Sequence, residues 1–224
     1  MPIFCIRKIG IAQKGQTLMS EQAFFIGDHV ALDFLNSIAA PRGEVIESIA
    51  DGEAYLTWLA DAGLLDRAEI PILLERHGGQ ALDQVAIAAQ HLREWFRQVI
   101  AKPASARWLN TETIAQLNPI LATDNTHRQL EKSGSRLVLR ERREYKQVWQ
   151  LLVPVAHAIA ALLTEGDPSL IKRCANPSCT LWFYDRTKAH RRRFCSAAVC
   201  GNRAKVAAFR ERQRLANPHQ KITD

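Results

Sequence analysis

The chain has 224 residues, 47% hydrophobic and 24% charged, a balance that suits one mid-sized domain plus a smaller module and excludes fibrous, collagenous or low-complexity chains. Its net charge of +7 is unevenly placed: residues 171–214 hold twelve Lys and Arg against two carboxylates, and the remainder sums to −3. A basic end on a neutral-to-acidic body points to a polyanionic partner met by that end only.

No run of about 18 apolar residues is present, so no membrane-spanning helix is expected. Residues 1–20 lack the roughly 7 to 15 apolar residues of a secretory signal, and the chain reads as cytoplasmic. These residues, with the isolated Cys5, read as an extension upstream of the first clear pattern, with Met19 as an alternative start.

From there the pattern is mostly helical. Asp28 is expected to cap a helix through about Ala40, ended by Pro41 and Gly43. Ser48 or Asp51 opens a second helix closed by Gly63. Pro71 sits in the first turn of a third, which stops at Gly78-Gly79. The longest helix is expected over residues 80–101, with Leu82, Val85, Ala89, Leu92, Phe96 and Val99 at helical spacing. Residues 111–122 form another, with Pro119 inside. Around Ser133-Gly134 the period changes, and Leu130, Leu137 and Leu139 alternate with polar residues as in a hairpin. Tyr145 to Leu163 reads as a buried helix kinked by Pro154, and EGDPS at 165–169 marks a hinge. The fold class expected is mainly α (α+β): an extension (1–20), a helical domain with a small β-hairpin (21–165), a zinc-ribbon-like module ending in a basic helix (170–216) and a tail (217–224).

Cys174 and Cys179 are separated by four residues, as are Cys195 and Cys200, with fifteen residues between the pairs. Clustered thiols in a reducing compartment bind metal or do redox chemistry. Two sulfur-bearing turns brought together supply the tetrahedral set that a structural Zn2+ takes, and disulfide or redox chemistry is the alternative. The spacing departs from the usual two-residue gap. His190 is a conceivable substitute ligand. LWFYD and RRRFC, around the turn RTKAH, are expected to pair as a hairpin, with Leu181 and Phe183 on one face and Trp182 and Tyr184 on the other. A four-thiolate site leaves no open position for catalysis, so the metal stabilises a module of about 45 residues that is too small to hold a core alone.

After Cys200, GNRAKVAAFRERQRL has helical composition. Arg203, Arg210 and Arg214 share one face, Lys205 and Arg212 lie nearly opposite, and Phe209 is expected to turn toward the hairpin. Such a helix fits the major groove of double-stranded DNA, with Lys188, Arg191, Arg192 and Arg193 meeting phosphates. RNA stacked on Trp182, Phe183 and Tyr184 is one alternative. A protein-interaction module with an acidic partner is another.

CGNR at 200–203, with the paired cysteines before it, resembles the CGNR zinc-finger family of bacterial proteins. GDHVALDFLNSIA at 27–39, HLREWFR and LVPVAHAIAALLT are similar to segments of the associated ABATE domain. The resemblance covers about residues 24–214. It implies a stress-induced transcription regulator, with zinc on Cys174, Cys179, Cys195 and Cys200 and DNA on the C-terminal module.

His29, Asp33 and Asn36 recur at i, i+4 and i+7, a polar face expected to line a pocket for a small-molecule effector, with Trp58, Arg93 or Trp95 as further walls. The competing reading is that they hydrogen-bond to neighbouring loops and fix packing. No phosphate loop, nucleophile elbow or histidine-pair metal motif is visible, so no enzyme is expected. A homodimer is compatible with the chain.

Overall fold

The computed structural model describes residues 24–40, 44–103 and 111–216. The expectations for the extension, Cys5, Pro41, Gly43 and the tail fall outside them.

The fold is mainly α, with three two-stranded antiparallel sheets among the described residues. Its centre is α4 (Gly79–Ala101), whose Leu82, Val85, Ala89, Leu92, Phe96 and Val99 are all buried, as their spacing predicts. α2 (Gly52–Asp61) packs on it. Asp51 caps α2 by accepting the Ala54 N–H at 2.8 Å. Gly52 is required by close approach, because a Cβ there would lie 2.4 Å from the Cβ of Leu82. α3 (Ile70–His77) carries Pro71 in its first turn and ends at Gly78, whose φ of 77° suits glycine. α5 (Thr111–Leu121) runs through Pro119.

Two helices differ from expectation. α1 is shorter, Val30–Leu35, capped by His29 rather than Asp28 and ended at Asn36. The chain then extends, and β1 (Ile38–Ala39) pairs with β2 (Ile46–Glu47). The helix stops because Asn36 and Ser37 have partners elsewhere in the fold. Pro154 does not kink a long helix. A 3-10 turn, Val148–Leu152, leads into α6 (Val153–Glu165), and Pro154 occupies its first turn, where no N–H is missed. Val148–Glu165 does have the length and mean hydropathy (1.5) of a membrane span, but half of it is buried inside the protein. Leu151, Val155, Ala156, Ile159 and Leu162 belong to the same core as α1, α2 and α4.

Between α5 and the 3-10 turn stands the hairpin of β3 (Thr126–Ser133) and β4 (Arg136–Arg143), with Gly134 in the turn at φ 60°. Leu130 faces Leu139 and Lys132 faces Leu137 across the ladder. All three leucines alternate as expected, yet they lie outside the core.

Candidate metal centre and its basic surface

β5 (Ile171–Arg173) leads into the first cysteine, and Cys174 donates its N–H to Leu181 O at 2.9 Å. Asn176 then folds the next turn: its Oδ1 accepts from the N–H and hydroxyl of Ser178, and its carbonyl accepts the Cys179 N–H at 3.0 Å. In the second pair Ser196 caps a wide turn, Ala197–Gly201, by accepting the Val199 N–H, and α7 (Asn202–Ala216) follows directly. The four-residue gaps are thus taken up by an Asx turn and a π-helical turn, each returning its second thiol to its first.

The four buried sulfurs lie within 4.8 Å of one another. Cys179 Sγ is 3.8 Å from Cys195 Sγ, which is 3.5 Å from Cys200 Sγ. A tetrahedron with Zn–S bonds of about 2.3 Å has edges of about 3.8 Å, so the donor set fits zinc. Burial pushes the Cys179 thiol up to about 11 and the Cys195 thiol higher still. Burial also opposes ionisation of Cys174, but N–H donors from Cys195 and Asn176 pull its pKa down. A divalent cation at the centre supplies the charge that lets all four ionise. The set is closed: with four thiolates the metal builds structure and has no position left for substrate. Ala39, Leu181 and Phe183 are buried around the sulfurs.

β6 (Trp182–Tyr184) pairs with β5, not with the RRRFC segment. The reason is Asp185, fully buried just after β6. Its carboxylate accepts from Lys172 Nζ (2.6 Å), the Thr187 hydroxyl and N–H, and the Arg192 N–H (2.9 Å). Burial alone would raise this carboxyl, but those donors hold it well below the usual range. RTKAHRRRF therefore wraps around a buried anion and cannot pair as a strand. The expected sidedness of β6 does hold: Leu181 and Phe183 face the thiols, while Trp182 and Tyr184 pack on the helical core.

The family models coincide with these two parts. Residues 28–166 match the model described as "Putative stress-induced transcription regulator", the ABATE domain, and residues 171–213 match the CGNR zinc finger. The chain belongs to the ABATE family. No curated protein matches it. The cysteine cluster of this ABATE protein is the zinc site of its CGNR finger.

The polar face of α1 forms a seam with other segments of the chain. Asn36, 1% exposed, donates to Trp182 O and accepts the Trp182 N–H, both at 2.9 Å, so its amide serves β6 as a further strand would. Asp33 accepts the Gly27 N–H at 2.7 Å, and Gly27 O accepts the Tyr184 N–H. Burial raises the Asp33 carboxyl to about 7, and burial followed by the Arg186 charge lowers His29 to about 4. His29 Nδ1 accepts the Ala31 N–H. Trp58 is buried against Phe25 and Phe34. Arg93, 2% exposed, makes a two-pronged bond to Glu47 at 2.7 and 2.6 Å and donates to Ser37 Oγ. Of the residues expected at an effector pocket, Asp33, Asn36 and Arg93 thus bond to other segments, His29 caps its own helix, Trp58 is core, and Trp95 packs against the helical core.

Among the expected cationic residues, Arg192 is committed inside the protein. It bonds to Ile26 O, Phe194 O, Cys195 O and the Asp28 carboxylate, with its guanidinium 4.3 Å over the Phe183 ring. Lys188, Arg191 and Arg193 are exposed, as are Lys205, Arg210, Arg212 and Arg214 on α7, and Arg203 is half-buried. Arg214 pairs with Glu211. Phe209 is 55% exposed and does not pack on β6. His190 lies outside the thiol cluster, its ring beside Asp185 O. An open concavity of about 620 Å³ is lined by Lys172, Arg173, Ala175, Arg191, Arg192 and Arg193. The sequence reading missed Arg173 and the organising role of Asp185. Asp185-Arg186-Thr187 is a side-chain-capped turn signature that marks the latter.

Proposed function

We propose that this ABATE protein is a zinc-dependent transcription regulator that binds double-stranded DNA through its CGNR finger, in the cytosol that keeps the four thiols reduced. The observation that carries the reading is α7. It rises directly from the thiol cluster, all its residues from Lys205 to Leu215 are exposed, and Arg210 leaves it on one side while Lys205 and Arg212 leave it on nearly the opposite side. A solvated helix of this length has the diameter that the major groove admits, and arginine there donates two hydrogen bonds to a guanine edge. Arg203, Val206 and Arg210 line a concavity of about 530 Å³ where α7 meets the preceding turn. Lys188, Arg191, Arg193 and Arg173 provide phosphate contacts away from the helix.

Duplex DNA is favoured over single-stranded RNA because the rings expected to stack bases are otherwise engaged: Phe183 is buried, and Trp182 and Tyr184 pack on the helical core. The zinc-loaded chain is expected to bind duplex more tightly than single-stranded RNA, with log affinity falling against log salt at a slope of about −5 for about six phosphates. Arg210→Ala weakens binding by about 1–3 kcal/mol and relaxes sequence preference, whereas Lys188→Ala weakens all duplexes alike. Equal losses from both changes on every duplex would remove base reading from α7. Absence of duplex binding at physiological salt would remove the proposal.

A further inference from the structure

Charge in the helical part is not uniform. Residues 24–125 and 147–170 together hold seven Lys and Arg against sixteen carboxylates, whereas residues 126–146 hold seven against three. These 21 residues are the β3–β4 hairpin and its exit. The ribbon and its exit therefore carry a net +4 on a body that otherwise sums to −9.

The register sorts the ribbon into two faces. One carries Glu131, which pairs with Arg140 and Arg142. The other carries Arg128, Leu130, Lys132, Leu137, Leu139 and Glu141. On this second face Leu130, Leu137 and Leu139 are 68, 72 and 59% exposed, with Arg128 and Lys132 on the same strand to either side of Leu130. At the root Arg143 is tied to Asp124, which also bonds His157 of α6. Arg128, Lys132 and, beside the turn, Arg136 have no ion pair among the described residues.

An exposed leucine face bordered by unpaired cations does not suit a second copy of itself, since the cations of two ribbons repel. It suits a polyanion with apolar surface at its edge. A two-stranded ribbon fits the major groove, where thymine methyl groups offer such surface between rows of phosphates. From the structure we propose that the β3–β4 ribbon is a second DNA-contacting element, its Leu130, Leu137 and Leu139 lying in a groove and Arg128 and Lys132 of that face, with Arg136 of the other face beside the turn, meeting the backbone. This rests on the reading that duplex DNA is the partner. The ribbon is rooted at His157, and Asp167, just beyond the other end of α6, donates its N–H to the Tyr184 hydroxyl of the finger. Eight residues of helical rise from His157 to Glu165 set the two roots about 12 Å apart along α6, near enough for one duplex to reach both elements.

The test uses the full-length zinc-loaded chain and a fluorescein-labelled duplex, with anisotropy read over a salt series. Arg128→Gln, Lys132→Gln and Arg136→Gln together are expected to flatten the slope of log affinity against log salt by about 2.7, from about 0.9 per phosphate contact, and to weaken binding about tenfold or more at physiological salt. Leu130→Ser, Leu137→Ser and Leu139→Ser together weaken binding and leave the slope unchanged. All six side chains are exposed, and melting temperature and zinc content verify the fold. Wild-type affinity and slope in both variants overturn the ribbon contact, even where Arg210→Ala destroys binding and so upholds α7. Weakened binding by the ribbon variants with an unaffected Arg210→Ala protein upholds the ribbon and removes α7. No binding by the wild type removes both. A leucine variant that turns a dimer into monomers in sedimentation, at undiminished DNA affinity, makes the face a self-interface and overturns the proposal.

Discussion

Replacing Asn36 with alanine tests whether the helical body and the finger share one structural seam. The Asn36 amide makes two 2.9 Å bonds to the backbone of Trp182 and is 1% exposed. Alanine leaves one donor and one acceptor of β6 without partners, at about 1–3 kcal/mol for each buried unsatisfied group. Trp182 is only half-buried and water can reach part of the gap, which sets the expected loss at about 2–4 kcal/mol. Urea unfolding of the zinc-loaded protein, followed by tryptophan fluorescence, measures it. Asn36→Asp gives the sharper test. Its carboxylate still accepts from the Trp182 N–H but turns a lone pair toward the carbonyl, so at neutral pH it costs at least as much as alanine. Protonation restores a donor, so this deficit shrinks as pH falls. A loss below about 0.5 kcal/mol for Asn36→Ala, or a pH-independent deficit for Asn36→Asp, would refute the strand-like role of the amide.

Elemental analysis of the reduced protein is expected to find one zinc per chain, and stripping it with a chelator exposes Leu181 and Phe183 to an apolar dye while much of the far-ultraviolet helical signal, which comes from the separate body core, persists; a metal-free preparation with an unchanged near-ultraviolet spectrum contradicts this. Asp33→Asn keeps the acceptor for Gly27 and removes a charge that burial disfavours. Because the folded-state pKa of Asp33 is raised from 3.8 to about 7, the wild type loses stability as pH rises through that window, and the variant's advantage grows from near zero below pH 4 to at most about 4 kcal/mol above pH 7. Parallel melting temperatures at pH 4 and pH 8 would show that the carboxyl is not buried as described. Arg93→Met leaves Glu47 and Ser37 Oγ without their partner and is expected to cost about 2–4 kcal/mol, less than a fully buried pair because Glu47 reaches solvent; chemical denaturation measures it, and a neutral result means the bond is not held in solution.

Much of this protein could be read from local signals. The apolar spacing on α4, the cap at Asp51, the stops at Gly63 and Gly78 and the turn at Gly134 are decided within a few residues by helical periodicity and backbone sterics. The metal centre was legible for a similar reason: four cysteines in two short turns supply the donor set of a structural zinc, and the charge excess beside them is a matter of counting. Pairing across the chain was not legible. That β6 joins β5 follows from the buried carboxylate of Asp185, around which the segment expected to be the partner of β6 is wrapped. That Asp33 and Asn36 hydrogen-bond to other parts of the chain follows from where residues 24–28 and β6 pass, more than a hundred positions apart. Alternation in β3 and β4 set out two faces, but only the tertiary structure left the leucine face outside the core. Periodicity fixes which side of an element is apolar; what that side meets depends on long-range packing, which no local pattern encodes.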